Sequence, residues 1–388
     1  MNLRTEFVLR ALQEELPFST LCQEYGISPK TGYKWKERFV QQGLCGLHDR
    51  SRRPRNSPNE LSEGVVCRMV ALKLAHPTWG PRKIREVYAR RHSGEGLPSE
   101  SSFKRVLDKA GLVQRRKRRP ATHSGHLQNR APAEQPNDVW TVDFKGWWYT
   151  PEKQRCEPLT VRDAFSRYLL CTTVPANART DTIRKEFERL FARYGLPGTI
   201  RSDNGSPFAV ATAPLGLSSL SAWWVALGID LDRIDPGCPY QNGGHERMHL
   251  DLAREVERRV FGDLETQRAA LRTWRQTFNH ERPHEALGMK CPAQVYRPSA
   301  RRYQGTPEQL DYPVGFLSRT VSRAGQIKLG QVVIQLSTAL RGWNVGLKPG
   351  ESGQHAVHFG RLVLGSIDLA TESFEHAPMP NNYNRRRQ

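Results

Sequence analysis

VWTVDFKGW (139–147), CEPLTVRDA (156–164) and YLLCTTVP (168–175) are three short segments rich in β-forming residues and separated by turn residues. Directly behind them, TDTIRKEFERLFARYGLP (180–197) places Ile183, Phe187, Leu190, Phe191 and Tyr194 on one helical face. Gly195 supplies the C-terminal cap of that helix and Pro197 its stop. GTIRSDNG (198–205) then reads as a strand running into an Asn-Gly turn. Three strands, a helix and a further strand form an antiparallel run followed by a crossover, the pattern of a mixed α/β sheet.

The composition changes on both sides of this region. Residues 1–50 show helical periodicity, and RSRRPRNSP (50–58) is a basic linker. Residues 59–113 are helical again, with Leu61, Val65, Met69 and Leu72 recurring at helical spacing. The stretch 114–137 is a second basic linker, including the run Arg115, Arg116, Lys117, Arg118 and Arg119. Beyond the core, taken as 138–300, residues 310–372 are strand-rich and punctuated by glycine, which predicts a small β-barrel. The end, NNYNRRRQ, reads as a basic tail.

A net charge of +20 on 388 residues calls for a polyanionic partner, and nucleic acid is the usual one. A membrane surface is the rival, but the sequence offers no apolar span, and MNLRTEFVLR lacks the apolar run of a signal peptide. Seven cysteines are scattered singly, with no Cys-x-x-Cys pair, which points to free thiols in a reducing compartment; with a nucleic-acid partner, the expected location is the cytoplasm, in association with a bacterial nucleoid. His123 and His126 have no cysteine pair downstream and read as loop residues rather than zinc ligands.

STLCQEYGISPKTGYKWKERFVQQG (19–43) fits a helix-turn-helix. Gly26 takes the positive φ of the tight turn, Ser28 is the N-cap, and Pro29 occupies the first helical position. Ile27 and Trp35 pack inward, while Lys30, Thr31, Tyr33 and Lys34 sit near the start of the second helix, where base edges are read. A plain helical hairpin with a solvated basic face is the competing reading. WGPRKIREVYARR and LPSESSFKRVLDKAGL (79–112) repeat the layout less clearly, with Ser99 or Ser101 as cap, and serve either as a second reader or as a helical spacer. Arg52, Arg53 and the run at 115–119 would follow phosphates or the minor groove.

Three acidic residues stand at element ends in the α/β region. Asp143 lies in the first strand, Asp203 follows the strand of GTIRSDNG, and Glu246 opens the helix of PGCPYQNGGHERMHLDLAREVERRV (236–260). Helical geometry sets Glu246, Leu250 and Ala253 on one face, directed at the sheet, with Arg247, Arg254 and Arg258 on a more exposed face. Converging carboxylates repel, by roughly 4 kcal/mol per pair at about 4 Å and an effective dielectric near 20. Magnesium, an oxygen-seeking ion, removes that cost, and two ions suit an in-line phosphodiester displacement.

The surrounding residues carry a specific resemblance. W-x-x-D-F (140–144), D-x-x-S-R (163–167), Y-G-L-P (194–197), S-D-N-G (202–205), P-x-x-P-x-x-N-G-x-x-E (236–246) and RPHEALG-x-x-P-A-x-x-Y (282–296) resemble the integrase-core (DDE) transposases of bacterial insertion sequences, relatives of retroviral integrases. The likeness covers about residues 135–300. It implies a ribonuclease-H-like core in a multidomain chain, with Asp143, Asp203 and Glu246 as catalytic residues and ligands of two Mg2+ or Mn2+ ions. The insert VATAPLGLSSLSAWWVALGID (210–230) widens the spacing from Asp203 to Glu246 and matches a branch of single-frame transposases. Asp163 reads as a structural carboxylate and Asp235 as part of the loop before the helix; His249 and Asn242 stay open between structural and DNA-contact roles.

The resemblance implies an enzyme that binds the terminal inverted repeats of its own element, exposes 3′-hydroxyl ends and joins them to target DNA. It would act as a dimer or tetramer on double-stranded DNA, because two ends must be joined in one event. Competing readings are a domesticated, non-catalytic DNA-binding regulator and a ribonuclease-H-type nuclease without strand transfer.

Overall fold

The computed structural model describes residues 2–49, 60–113, 131–235, 237–259, 262–350 and 353–378. Arg52, Arg53, Arg115, Arg116, Lys117, Arg118 and Arg119, the histidines at 123 and 126 and the basic tail lie outside the described residues. The chain divides into two compact units, 1–63 and 64–388.

In the first unit, α1 (Leu3–Gln13), α2 (Phe18–Glu24) and α3 (Pro29–Gln42) enclose Phe7, Val8, Ala11, Leu21, Cys22 and Leu47. Ile27, Trp35 and Phe39 pack against that core. The turn is built as its residues require. Gly26 has φ +62°, and the Ser28 hydroxyl accepts from the Thr31 N–H at 3.3 Å with Pro29 in the first turn.

The second unit begins within the first turn of α4 (Glu63–Ala75) and continues through α5 (Pro81–Arg91) and α6 (Glu100–Lys109), the last capped by Ser99. Next comes the five-stranded sheet. Its members are β1 (Val139–Phe144), β4 (Leu159–Asp163), β5 (Leu169–Thr173), β6 (Thr199–Ser202) and β7 (Asp230–Arg233), and a small hairpin, β2 (Trp148–Tyr149) with β3 (Arg155–Cys156), interrupts the first connection. The order is β5-β4-β1-β6-β7; β1, β4 and β5 pair antiparallel, and β6 and β7 join parallel. α7 (Thr180–Tyr194) makes the crossover and buries the five residues its periodicity selects. The insert folds into α8 (Ser219–Ala226), whose Trp223 and Trp224 are fully buried against the same face as Phe187 and Phe191.

On the other face lie α9 (Gly243–Leu252) and α10 (Leu264–His280), where Met248, Leu252, Val256, Leu271 and Trp274 pack over Leu169 and Val174. The face of α9 expected to point inward needs correcting. Leu250 is exposed, and His245, Met248, Asp251, Leu252 and then Val256 are the buried residues. Counting from Glu246 misplaces the stripe because the carboxylate stands at its margin; the apolar repeat that decides helix rotation starts one residue earlier.

The predicted barrel region folds into a five-stranded antiparallel sheet of β8 (Leu317–Thr320), β11 (Asn344–Pro349), β12 (Gln354–Phe359), β13 (Leu362–Asp368) and β14 (Ser373–His376). A ribbon of β9 (Gln326–Leu329) and β10 (Val332–Gln335) accompanies it. Among the described residues no helix is long and apolar enough to cross a membrane.

Candidate active site

Alternation along β1 places Trp140 and Val142 in the core beneath α7, so Thr141 and Asp143 face α9. Asp143 pairs with Thr160 and Thr141 with Arg162 across β1 and β4, which brings Thr160 and Arg162 to the same face. β6 runs parallel to β1 with Thr141 opposite Arg201. Asp203 follows directly on β6, two residues past that pair as Asp143 is on β1, and lies near enough for its charge to act on Asp143. Glu246 stands exposed in the first turn of α9.

These placements have an electrostatic consequence. Burial, and then the negative charges of Asp203 and Glu246, push the Asp143 carboxyl up to about 7; Lys145 and a backbone hydrogen bond at Phe144 act the other way. Oδ1 of Asp203 is buried without a hydrogen-bond partner. Gly205 leaves room for this carboxylate, since a Cβ there would come within 3.0 Å of Asp203 Oδ2. Clustered carboxylate oxygens, like charge and an orphaned buried oxygen form a donor set that a divalent cation completes.

Histidines form the floor of the site. His245 is fully buried between the hydroxyls of Thr141, 2.8 Å from Nδ1, and Thr160, 2.7 Å from Nε2. His249 Nε2 lies 2.8 Å from the same Thr160 hydroxyl, and its Nδ1 faces Asp143 Oδ2 at 3.9 Å. Burial, with Lys145 and Arg162 nearby, holds His249 down to about 3, so the ring is neutral. Arg162 is buried beneath the start of α9, where a Cβ on Gly244 would fall 2.7 Å from its guanidinium, and burial lowers it to about 9. Sequence reasoning left Thr160, Arg162 and His245 unassigned. Strand parity in LTVRD is the signal that selects the first two.

The remaining expected residues fall elsewhere. Asp163 is fully buried with both oxygens occupied, Oδ2 by the Asn137 N–H at 2.7 Å and Oδ1 by the Ser166 N–H at 2.7 Å and its hydroxyl, so it braces a turn. Asp235 is held by Gln241 at 2.6 Å in the loop before α9, and Asn242 is buried. Arg247 is exposed and Arg254 half-buried on α9 and its continuation. Lys30, Tyr33 and Lys34 are exposed on α3 and Thr31 partly so, with Tyr33 stacked on Phe18 at 4.2 Å.

Beyond the acidic cluster, the helical run of α9 continues into a paired one. Arg282, almost fully buried, donates to Asp251 and Glu255, each at 2.7 Å. Glu255 also accepts from Trp274 Nε1 at 2.7 Å and from the Thr78 hydroxyl. Burial pushes the Glu255 carboxyl up, but Arg282 and these donors hold it below the usual range. Thr78 precedes α5, so this network ties α4–α6 to the core, assisted by Arg90, which donates to the Met289 carbonyl and the Cys291 sulfur.

Comparison with known proteins agrees with this architecture. Residues 133–239 and 227–292 each match the integrase core domain family. Residues 3–55 match a helix-turn-helix domain and 31–107 a homeodomain-like domain. The chain is 26% identical over 254 residues to an uncharacterized 39.2 kDa protein of insertion element IS476 from Xanthomonas euvesicatoria, covering 65% of this chain and 70% of that protein. An uncharacterized 31.7 kDa protein of insertion element IS407 from Burkholderia multivorans is also 26% identical, over 67% of this chain and 87% of that protein. Among solved structures, the HTLV-2 integrase catalytic core in complex with magnesium aligns over 43% of this chain at 14% identity and a TM-score of 0.34. At that score the structural likeness adds nothing to the family matches. Sheet order and family matches together make the middle domain ribonuclease-H-like.

Proposed function

We propose that this integrase-core chain with helix-turn-helix domains is a DNA transposase: it binds the terminal inverted repeats of its element, cleaves to give 3′-hydroxyl ends, and joins them to target DNA. The observation that carries this reading is the carboxylate cluster. Asp203 at the end of the neighbouring parallel strand and Glu246 from α9 add their negative charge to that of the buried Asp143, and these effects together with burial outweigh the nearby Lys145. Asp143, Asp203 and Glu246 would hold two divalent ions, Mg2+ or Mn2+. Bound there, such ions supply charge stabilisation to the attacking and leaving oxygens of a phosphodiester.

The chain's own residues do the rest. Buried threonines and histidines fix the β1–β4–α9 floor, so the carboxylates are positioned before DNA arrives. α3, with Lys30, Thr31, Tyr33 and Lys34 at its start, would read the repeat in the major groove. The arginine–carboxylate network would keep α4–α6 in a fixed relation to α9, so that DNA held by those helices is presented to the site. A dimer or tetramer assembled on DNA is the expected working form.

A strand-transfer assay with purified protein, Mg2+ and labelled duplexes from the ends of the encoding element tests this. Joined product from the wild type, and none from Glu246→Gln with end binding intact, is the expected result. Tight end binding without joining in either protein would instead support a DNA-binding regulator.

A further inference from the structure

The Thr160 hydroxyl lies 2.9 Å from the Asp143 carbonyl oxygen, 2.7 Å from His245 Nε2 and 2.8 Å from His249 Nε2. It has one proton. Given to the carbonyl, that proton leaves the oxygen only as an acceptor, so both rings must carry hydrogen on Nε2. The second nitrogens then differ. Nδ1 of His245 meets the Thr141 hydroxyl at 2.8 Å, and that ring is fully used. Nδ1 of His249, the nitrogen left with the lone pair in that tautomer, faces Asp143 Oδ2 at 3.9 Å, a gap too long for a direct hydrogen bond.

A phosphate contact does not resolve this, because the lone pair has nothing to donate to an anion. A cation does. Metal–nitrogen and metal–oxygen bonds of about 2 Å each fit within the gap. Donation of the other ring nitrogen to a fixed oxygen is also the arrangement by which proteins orient metal-binding histidines.

We propose that His249 Nδ1 is an additional ligand of the divalent ion held at Asp143, oriented by Thr160, while His245 supports the floor and takes no metal. This rests on the reading of Asp143 as a metal ligand. An imidazole nitrogen among carboxylates shifts preference from magnesium toward manganese and later divalent ions. The site would therefore favour Mn2+ over Mg2+ more than an all-oxygen triad does.

The test uses the full chain without DNA and Mn2+ as the probe, read by pulsed electron spin resonance for nitrogen coupling and by calorimetry for affinity. Wild type should show an imidazole nitrogen on manganese. His249→Gln should lose it, with Mn2+ affinity falling at least about tenfold and the Mn2+ to Mg2+ affinity ratio falling too. His249→Glu, which returns an anionic oxygen donor, should bind Mn2+ without the nitrogen signal and guards against a variant that fails to fold. Manganese bound in an Asp143-dependent way without nitrogen coupling would overturn the His249 ligand and leave the carboxylate site standing. Nitrogen coupling that persists in His249→Gln would overturn it as well. No Mn2+ binding at all would overturn both readings.

Discussion

Glu246 and Glu255 belong to one helical run, yet their surroundings are opposite. Glu246 joins Asp143 and Asp203 in a cluster where burial and like charge push Asp143 up to about 7. Further along, Glu255 and Asp251 close on a single buried guanidinium, Arg282, and the Glu255 carboxyl is held low. The same residue type is left frustrated at one end and paired at the other. A buried carboxylate with its arginine, tryptophan and threonine partners is architecture; a cluster in which burial and like charge outweigh the nearby lysine is held in place by the rest of the fold and is available for a cation.

The largest expected effect comes from the frustrated end. Asp143→Asn should lower joining by at least about a thousandfold, the scale on which a unit of interdependent catalytic groups fails. In the same variant the metal-free melting temperature should not fall, since a like charge has been removed; a marked loss of stability would make Asp143 architectural and erase the contrast. The paired end should behave in reverse. Arg282→Met leaves Asp251 and Glu255 buried without their cation and should cost about 3–5 kcal/mol, measured by urea unfolding.

Proton linkage gives opposite slopes. Asp143 is raised above its ordinary value of 3.8, so the stability it contributes is present below that value and is lost as pH rises through about 7. Glu255 is lowered, so its contribution is present above the ordinary carboxylate range and is lost as pH falls through its folded value. Metal-free protein should therefore melt at a lower temperature at pH 8 than at pH 6 by an amount that shrinks by a few degrees in Asp143→Asn. An unchanged difference would show that Asp143 does not titrate in that window. The smallest effect belongs to the exposed Arg247, whose contact with Asp251 is 3.8 Å. Arg247→Ala should change stability by no more than about 0.5 kcal/mol; a larger loss would mean that the paired network extends to the surface.

Much of the fold was legible because its signals are local. The β-forming residues of VWTVDF, the apolar face of α7 and the Gly-x-Ser-Pro turn each act over a few residues, and each produced the expected element. The inward face of α9 was misjudged at Leu250, because helix rotation is decided by what packs above and below, here Met248, Leu252 and Val256 against Leu169 and Val174. The two tryptophans of the 210–230 insert were readable as apolar but not as part of the main core, a placement that depends on α7 lying opposite.

The sequence by itself determined the order of elements, the basic character of the chain and three acidic positions at element ends, because periodicity, charge and turn chemistry are properties of neighbouring residues. Tertiary structure alone decided that Thr160 stands beneath Asp143, that His245 and His249 share its hydroxyl, and that Arg282 reaches back to Asp251 and Glu255. Those contacts depend on strand register and helix rotation, which are set by burial against distant segments and leave no short-range mark in the chain.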